Sequence, residues 1–229
     1  MTKLENRYTF DVWLRFLIQW EGGVRPSSDE TTEGLFLRAT RVRAFSNDPL
    51  DRGGATMMGV THKVFTFWRT QYLQRTAPAV EELRMLDFYE WQHIVESLYW
   101  EPLKAQLMPF ACVAVSMADW HWHSGSIAIR TVQRMLGQVQ DGIVGRRTLG
   151  AMQTQCHSRS YARDMADQIL SRRHQFLMHL MERHPEQKRF YIGWKNRLDA
   201  LHDLWYHLDL SDDEAERLKE RKPAYILTR

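Results

Sequence analysis

The stretch FDVWLRFLIQWEGG, residues 10–23, sets the reading of the chain. Phe10, Trp13, Leu17 and Trp20 recur at helical spacing, with Val12 and Phe16 beside them, which predicts an amphipathic helix. Thr9 is the expected N-cap and Gly22-Gly23 the expected stop. Glu21 falls four residues after Leu17 and eight after Trp13, so the pattern places a carboxyl group on the apolar face. It also stands at the helix end, where the backbone dipole is negative. Both surroundings disfavour the ionised carboxylate, which is the condition a general acid needs near neutral pH. The plainer alternative is a side chain that turns into water at a frayed helix end.

Outward from this helix, residues 22–59 are rich in Gly, Ser, Thr, Pro and Asp, and read as loop with short strands at most. Within them lies NDPLDRGGAT, residues 47–56. Asp48-Pro49 is a turn signal, and Gly53-Gly54 lets backbone approach a ligand closely. Asp51 and Thr56 are spaced to present a carboxylate and a hydroxyl around that turn. An acid on one side and an aspartate–threonine pair on the other is a layout for glycoside hydrolysis, with water held opposite the leaving group. An Asx-turn loop without chemistry would use the same residues.

The rest of the chain is predominantly helical in pattern. Thr61 is placed to cap a helix containing Val64, Phe65, Trp68 and Tyr72, and a further helix over 87–100 ends before Pro102. Residues 111–122 are apolar on nearly every side and predict a buried central helix. Gly125 breaks it and residues 126–136 restart it. A turn at Gln140-Asp141-Gly142 precedes a short helix over 147–153, and Pro185 separates two long helices over 158–183 and 186–208. With 229 residues, 44% of them hydrophobic, the chain predicts a packed globule rather than long disorder. No apolar run reaches the roughly 18 residues of a membrane span, and MTKLENRYTF carries no apolar signal core. Cys112 and Cys156 are far apart and read as two buried thiols. His121 and His123, two apart on a helix, face different sides and predict no shared metal. The net charge of +3 is too small to argue nucleic acid. The basic residues nevertheless cluster: Arg38, Arg41, Arg43, Arg52, Lys63, Arg69 and Arg75 stand against only Asp48 and Asp51. That suits an anionic polymer, or simply a solvated face. Leu35 and Phe36, just before the first three arginines, read as exposed.

Glu21-Gly22-Gly23 followed by NDPLDRGGATMMGVT resembles the catalytic region of the glycoside hydrolase 108 family, a bacterial and phage group of lysozyme-like N-acetylmuramidases. The family pattern is E-G-G-Y, then N-D-P-x-D-x-G-G-x-T, then G-[IV]-T. Tyr99-Trp100-Glu101-Pro102-Leu103 is similar to its Y-W-[DE]-P-L stretch, and Asp119 to Gly125 fall on an aspartate helix ending in N-S-G, with His123 in the asparagine's place. VQRMLG (132–137), DGIVG (141–145) and FYIGWKNRLD (190–199) resemble the companion peptidoglycan-binding segment. Here the stretch between Glu21 and Asp48 is longer, Val24 replaces the tyrosine, and Ala55, Met57 and Met58 replace polar residues around the threonine.

The resemblance implies a mainly α, lysozyme-like helical fold with a loop-rich or short-stranded catalytic insert. The implied domains are a catalytic region over 1–110, a helical peptidoglycan-binding half over 111–208 and a charged tail over 209–229. It implies hydrolysis of the β-1,4 bond from N-acetylmuramic acid to N-acetylglucosamine, with Glu21 as proton donor and Asp51 and Thr56 positioning or activating water. Asn47, Asp48, Gly53, Gly54, Trp100 and His123 are the expected substrate contacts. No metal or organic cofactor is implied. The expected partners are peptidoglycan glycan strands and anionic wall polymers, without nucleic acid or membrane insertion. Synthesis in the bacterial cytoplasm without a signal peptide implies access to the wall or periplasm by holin-type release or dedicated secretion. A lytic transglycosylase, a chitinase-like glycosidase and a catalytically silent wall-binding or secretion-accessory protein are the alternatives.

Overall fold

The computed structural model describes residues 3–43, 45–47 and 54–208, so Asp48, Asp51, Gly53 and the tail from 209 lie outside the described residues. Among the described residues the chain is mainly α, with ten α-helices and one small three-stranded sheet. It divides into two compact units, Phe10–Glu101 and a second made of Met1–Thr9 with the chain from Pro102 onward.

Helix α1 spans Lys3–Gly22, with its residues from Phe10 onward in the first unit, and begins earlier than expected. Thr9 is therefore a buried mid-helix residue rather than the cap. The segment from Leu4 to Tyr8 contains no breaker, so the helix extends through it. The expected loop holds a further helix, α2, at Thr32–Arg43. Thr31 Oγ1 accepts a hydrogen bond from the Gly34 amide at 3.0 Å, and Glu33 stands in the first turn. Leu35, Phe36 and Ala39 form its buried stripe, so Leu35 and Phe36, 0% and 1% exposed, are core residues and not a surface patch. Phe36 packs on Phe88 and Trp91 at ring separations of 5.6 and 5.3 Å. The segment leading into α2 is pinned to α1. Arg15 donates to the Glu30 and Ser27 carbonyls at 2.7 and 2.8 Å, and Thr32 donates to Asp11 at 2.7 Å.

The sheet is antiparallel in the order β1 (Phe45–Ser46), β2 (Thr56–Met57), β3 (Val60–Thr61), with Ser46 opposite Thr56 and Thr56 opposite Thr61. Met58 and Gly59 turn the β2–β3 hairpin with φ of 46° and 76°, the two-residue geometry that matches strand twist. Thr61 caps α3 (His62–Phe67) as expected, accepting from the Val64 amide at 3.2 Å, and a π-helical turn continues through Trp68–Tyr72. Next come α4 (Val80–Arg84) and α5 (Phe88–Val95), the latter capped by Asp87, and then a π-helical turn over Glu96–Trp100.

The second unit is built on α6 (Ala111–Ser124), whose first ten residues are all buried. A helix apolar on every side must be enclosed, and α7 (Ser126–Met135), α9 (Arg159–Arg183) and α10 (Tyr191–Leu208) pack on it. Between α7 and α9 lies α8 (Arg146–Gln155). Cys112 and Cys156 are buried free thiols. No helix among the described residues is long and apolar enough to cross a membrane.

Candidate active site

Glu21 is half-buried in the last turn of α1. The two glycines after it do different work. Gly22 is buried, and a β-carbon on it would lie 2.5 Å from Ala39 Cβ, 3.2 Å from Met58 Cε and 3.3 Å from Met58 Sδ. Only glycine lets α2 and the hairpin approach this closely. Gly23 has open space around it but a φ of +65°, the left-handed conformation that ends helices. The expected stop is thus one close-approach glycine and one conformational glycine.

The Glu21 charge is felt by Tyr99. Burial pushes the Tyr99 phenol up to about 12, with the Glu21 carboxylate adding to the shift. Tyr99 therefore remains a neutral hydroxyl at any working pH. Its neighbour Trp100, an expected sugar contact, is not one in the structure. Trp100 is 3% exposed and stacks on Trp13 at 5.4 Å, with Phe10 at 5.2 Å, so its ring is in the core and unavailable to a glycan. Neighbouring helical residues point to different sides, and the more apolar of the pair went inward.

Thr56 is half-buried in β2, and its hydroxyl donates to the Gly54 carbonyl at 3.2 Å. Gly54 has φ +68°. Asn47 is exposed and directly follows β1; the register that pairs Ser46 with Thr56 brings it level with Ala55. Asn47, Gly54 and Thr56 therefore share one end of the small sheet, where the β1–β2 connection carrying Asp48, Asp51 and Gly53 begins and ends. Ala55, Met57 and Met58 are buried, so these replacements of polar residues are packing residues. Met58 joins the hairpin to Gly22 and hence to the helix end that bears Glu21.

His123 belongs to the second unit. Its Nδ1 lies 3.1 Å from an Arg173 guanidinium nitrogen and 3.0 Å from the Asp119 carbonyl. A guanidinium can only donate and a carbonyl can only accept, so Nδ1 bonds to Arg173 when it carries no proton and to the Asp119 carbonyl when it does. Beneath it Asp119, 0% exposed, accepts from Arg173 at 2.7 Å and from Arg197 at 2.7 and 3.1 Å. Burial alone would raise the Asp119 pKa, but the Arg197 and Arg173 charges hold its carboxyl well below the usual range. His123, Ile127, Arg173, Phe176 and Trp194 line a groove of about 470 Å³. Among the described residues no group of three or more His, Cys, Asp or Glu side chains could hold a metal ion.

The basic stretch also changes meaning. Arg38 grips Glu30 through two hydrogen bonds, of 2.9 and 2.7 Å, and donates to the Arg25 carbonyl at 2.7 Å. Its hydrogen bond to Glu30 lowers that carboxyl's pKa.

Residues 14–125 match the family model described as Glycosyl hydrolase 108, and residues 127–199 match the one described as Predicted Peptidoglycan domain. The chain belongs to the glycosyl hydrolase 108 family. It is a glycoside hydrolase of the peptidoglycan-directed kind. A solved structure titled "Structure of Brucella abortus SagA" is similar, with a TM-score of 0.58 and 22% identity over 75% of this chain and 90% of that one, which shows a shared fold. A search of curated proteins finds no match. The hydrolase match ends at Gly125 and the peptidoglycan match begins at Ile127, whereas the compact units divide at Glu101 and Pro102. Helix α6 thus lies inside the hydrolase match and packs among the helices of the second unit.

Proposed function

We propose that this glycosyl hydrolase 108 protein is an N-acetylmuramidase that cleaves the β-1,4 bond from N-acetylmuramic acid to N-acetylglucosamine, with Glu21 as the general acid. The observation that supports it most directly is the Met58–Gly22 contact, which joins the helix end carrying Glu21 to the hairpin carrying Thr56. In this reading Glu21 protonates the glycosidic oxygen as the bond to the anomeric carbon breaks. The Thr56 oxygen accepts a hydrogen bond from the attacking water, and Asp51 positions or deprotonates that water from the opposite face. Tyr99, held neutral, supplies a hydroxyl dipole near the Glu21 carboxylate once its proton has gone. The second unit retains the glycan strand, which raises the effective substrate concentration at the first. The reading requires the protein to reach the wall, outside the cytoplasmic membrane.

Glu21→Gln keeps the shape of the side chain and removes the transferable proton. It should lower wall hydrolysis by on the order of 10²–10⁴ with an unchanged melting midpoint. A folded Glu21→Gln protein that clears stripped walls at near the wild-type rate sinks the assignment. Asp51→Asn should cut the rate with little change in stability. Asp48→Asn should instead lower stability by about 1 kcal/mol by removing a turn hydrogen bond. Swapped outcomes exchange the two aspartates' roles. New reducing ends, rather than anhydro ends, are the expected products.

A further inference from the structure

Met58 adopts a conformation that its turn does not require of a methionine. Where both central residues have positive φ, asparagine or glycine is the usual first choice, because an L side chain is crowded there. Here methionine holds φ 46° ahead of Gly59 at φ 76°. The side chain is enclosed, with Met58 only 1% exposed. Its thioether lies against Gly22, where a β-carbon would come within 3.2 Å of Cε and 3.3 Å of Sδ. The Met58 carbonyl is fixed as well, accepting from the buried Trp91 indole Nε1 at 2.9 Å. Trp91 packs on Phe36, and Ala39, three residues along α2, closes on the same point of Gly22 at 2.5 Å from that β-carbon position. Ala39 and Met58 therefore both bear on the residue that follows Glu21, and Met58 stands two residues after Thr56.

We infer that Met58 is a positioning residue for hydrolysis. Its thioether sets the acid-bearing end of α1 in register with the hairpin that carries Thr56. Glycine at position 58 would relax the backbone and lose that register, which accounts for a methionine kept at a positive φ. The inference rests on Glu21 being the proton donor.

The test compares Met58→Gly and Met58→Leu in the wild-type and Glu21→Gln backgrounds, with folding checked by circular dichroism. A misplacement of about 1 Å lowers rates by up to on the order of 10²-fold. Met58→Gly should therefore lower kcat by roughly 10- to 100-fold with KM little changed. Met58→Leu, which restores apolar bulk on Gly22, should recover most of the loss. In the Glu21→Gln background Met58→Gly should add little, because the group it positions is already disabled. A merely structural role would lower the rate equally in both backgrounds. Should Met58→Gly fail to fold, Met58→Ala carries the same comparison. Wild-type kcat in the folded glycine or alanine variant, equal losses in the two backgrounds, or a leucine variant no better than glycine would each overturn the inference. The underlying reading fails separately: a fully active Glu21→Gln removes the proton donor itself, whereas an inactive Glu21→Gln beside a fully active Met58→Gly removes only the positioning role.

Discussion

Glu21 on α1 and Asp119 on α6 are both carboxylic acids on apolar helix faces. Their surroundings separate them. Asp119 is enclosed and gripped by Arg173 and Arg197, which hold it ionised, so it has no proton to give at working pH. Glu21 is half-buried at a helix terminus, beside a phenol that stays neutral and backbone fixed by glycine and apolar contacts. The contrast teaches that an apolar helix face does not by itself mark a catalytic acid. A carboxyl shared by two buried guanidiniums is a structural anchor, whatever the apolar face around it suggests.

The largest effect should come from breaking the anchor. Asp119→Asn removes the carboxylate that two buried guanidiniums share, and should cost about 3–5 kcal/mol, or on the order of 10 °C in thermal midpoint for a chain of this size. A variant melting with wild type would erase the distinction between the two acids. The pH dependence sharpens the same point. The Asp119 pKa is lowered by folding, so its contribution is complete above the unfolded carboxylate value of about 3.9 and is lost as pH falls below it towards the folded value. Thermal midpoints measured between pH 7 and 2 should show an acid limb that is shallower in Asp119→Asn.

Much of this was legible from the residues. The all-round apolar run from Ala111 announced an enclosed helix, Thr61 announced the cap of α3, and Glu21-Gly22-Gly23 announced a helix end. Helix α2 was hidden because Gly, Ser, Thr and Pro dominate its approaches, although Thr31 as cap and the Leu35–Phe36–Ala39 stripe were present. Trp100 failed as a sugar contact because its spacing alone does not show that its ring stacks on Trp13 in the core. The reason for Gly22 was beyond any local pattern, since the atoms that exclude a β-carbon come from Ala39 and Met58, far along the chain.

The Glu21 side of the comparison can be probed by overpacking. Gly22→Ala places a β-carbon 2.5 Å from Ala39 Cβ, and forcing extra volume into a packed site typically costs about 1–3 kcal/mol. Wall hydrolysis should fall further than this loss of stability accounts for, because the displaced residue adjoins Glu21. The check is rate against thermal midpoint. A loss of rate that disappears when both proteins are assayed equally far below their midpoints would reduce Gly22 to a packing residue.

The smallest effects belong to the surface arginines, where charge meets water rather than a core. Arg38 is already committed to Glu30 and the Arg25 carbonyl, so its guanidinium is a clamp on the segment before α2. Exposed pairs of this kind contribute little to stability, and Arg38→Gln should leave binding to intact walls unchanged. Arg41 is exposed on the same helix, alongside exposed Leu37 and Val42. If α2 docks on anionic wall polymers, Arg41→Gln should weaken pelleting with walls at low salt. The difference from wild type should shrink as the screening length falls from about 30 Å at 0.01 M to about 10 Å at 0.1 M salt. Equal binding by both variants at every salt concentration would make α2 solely a brace for the helix end that carries Glu21.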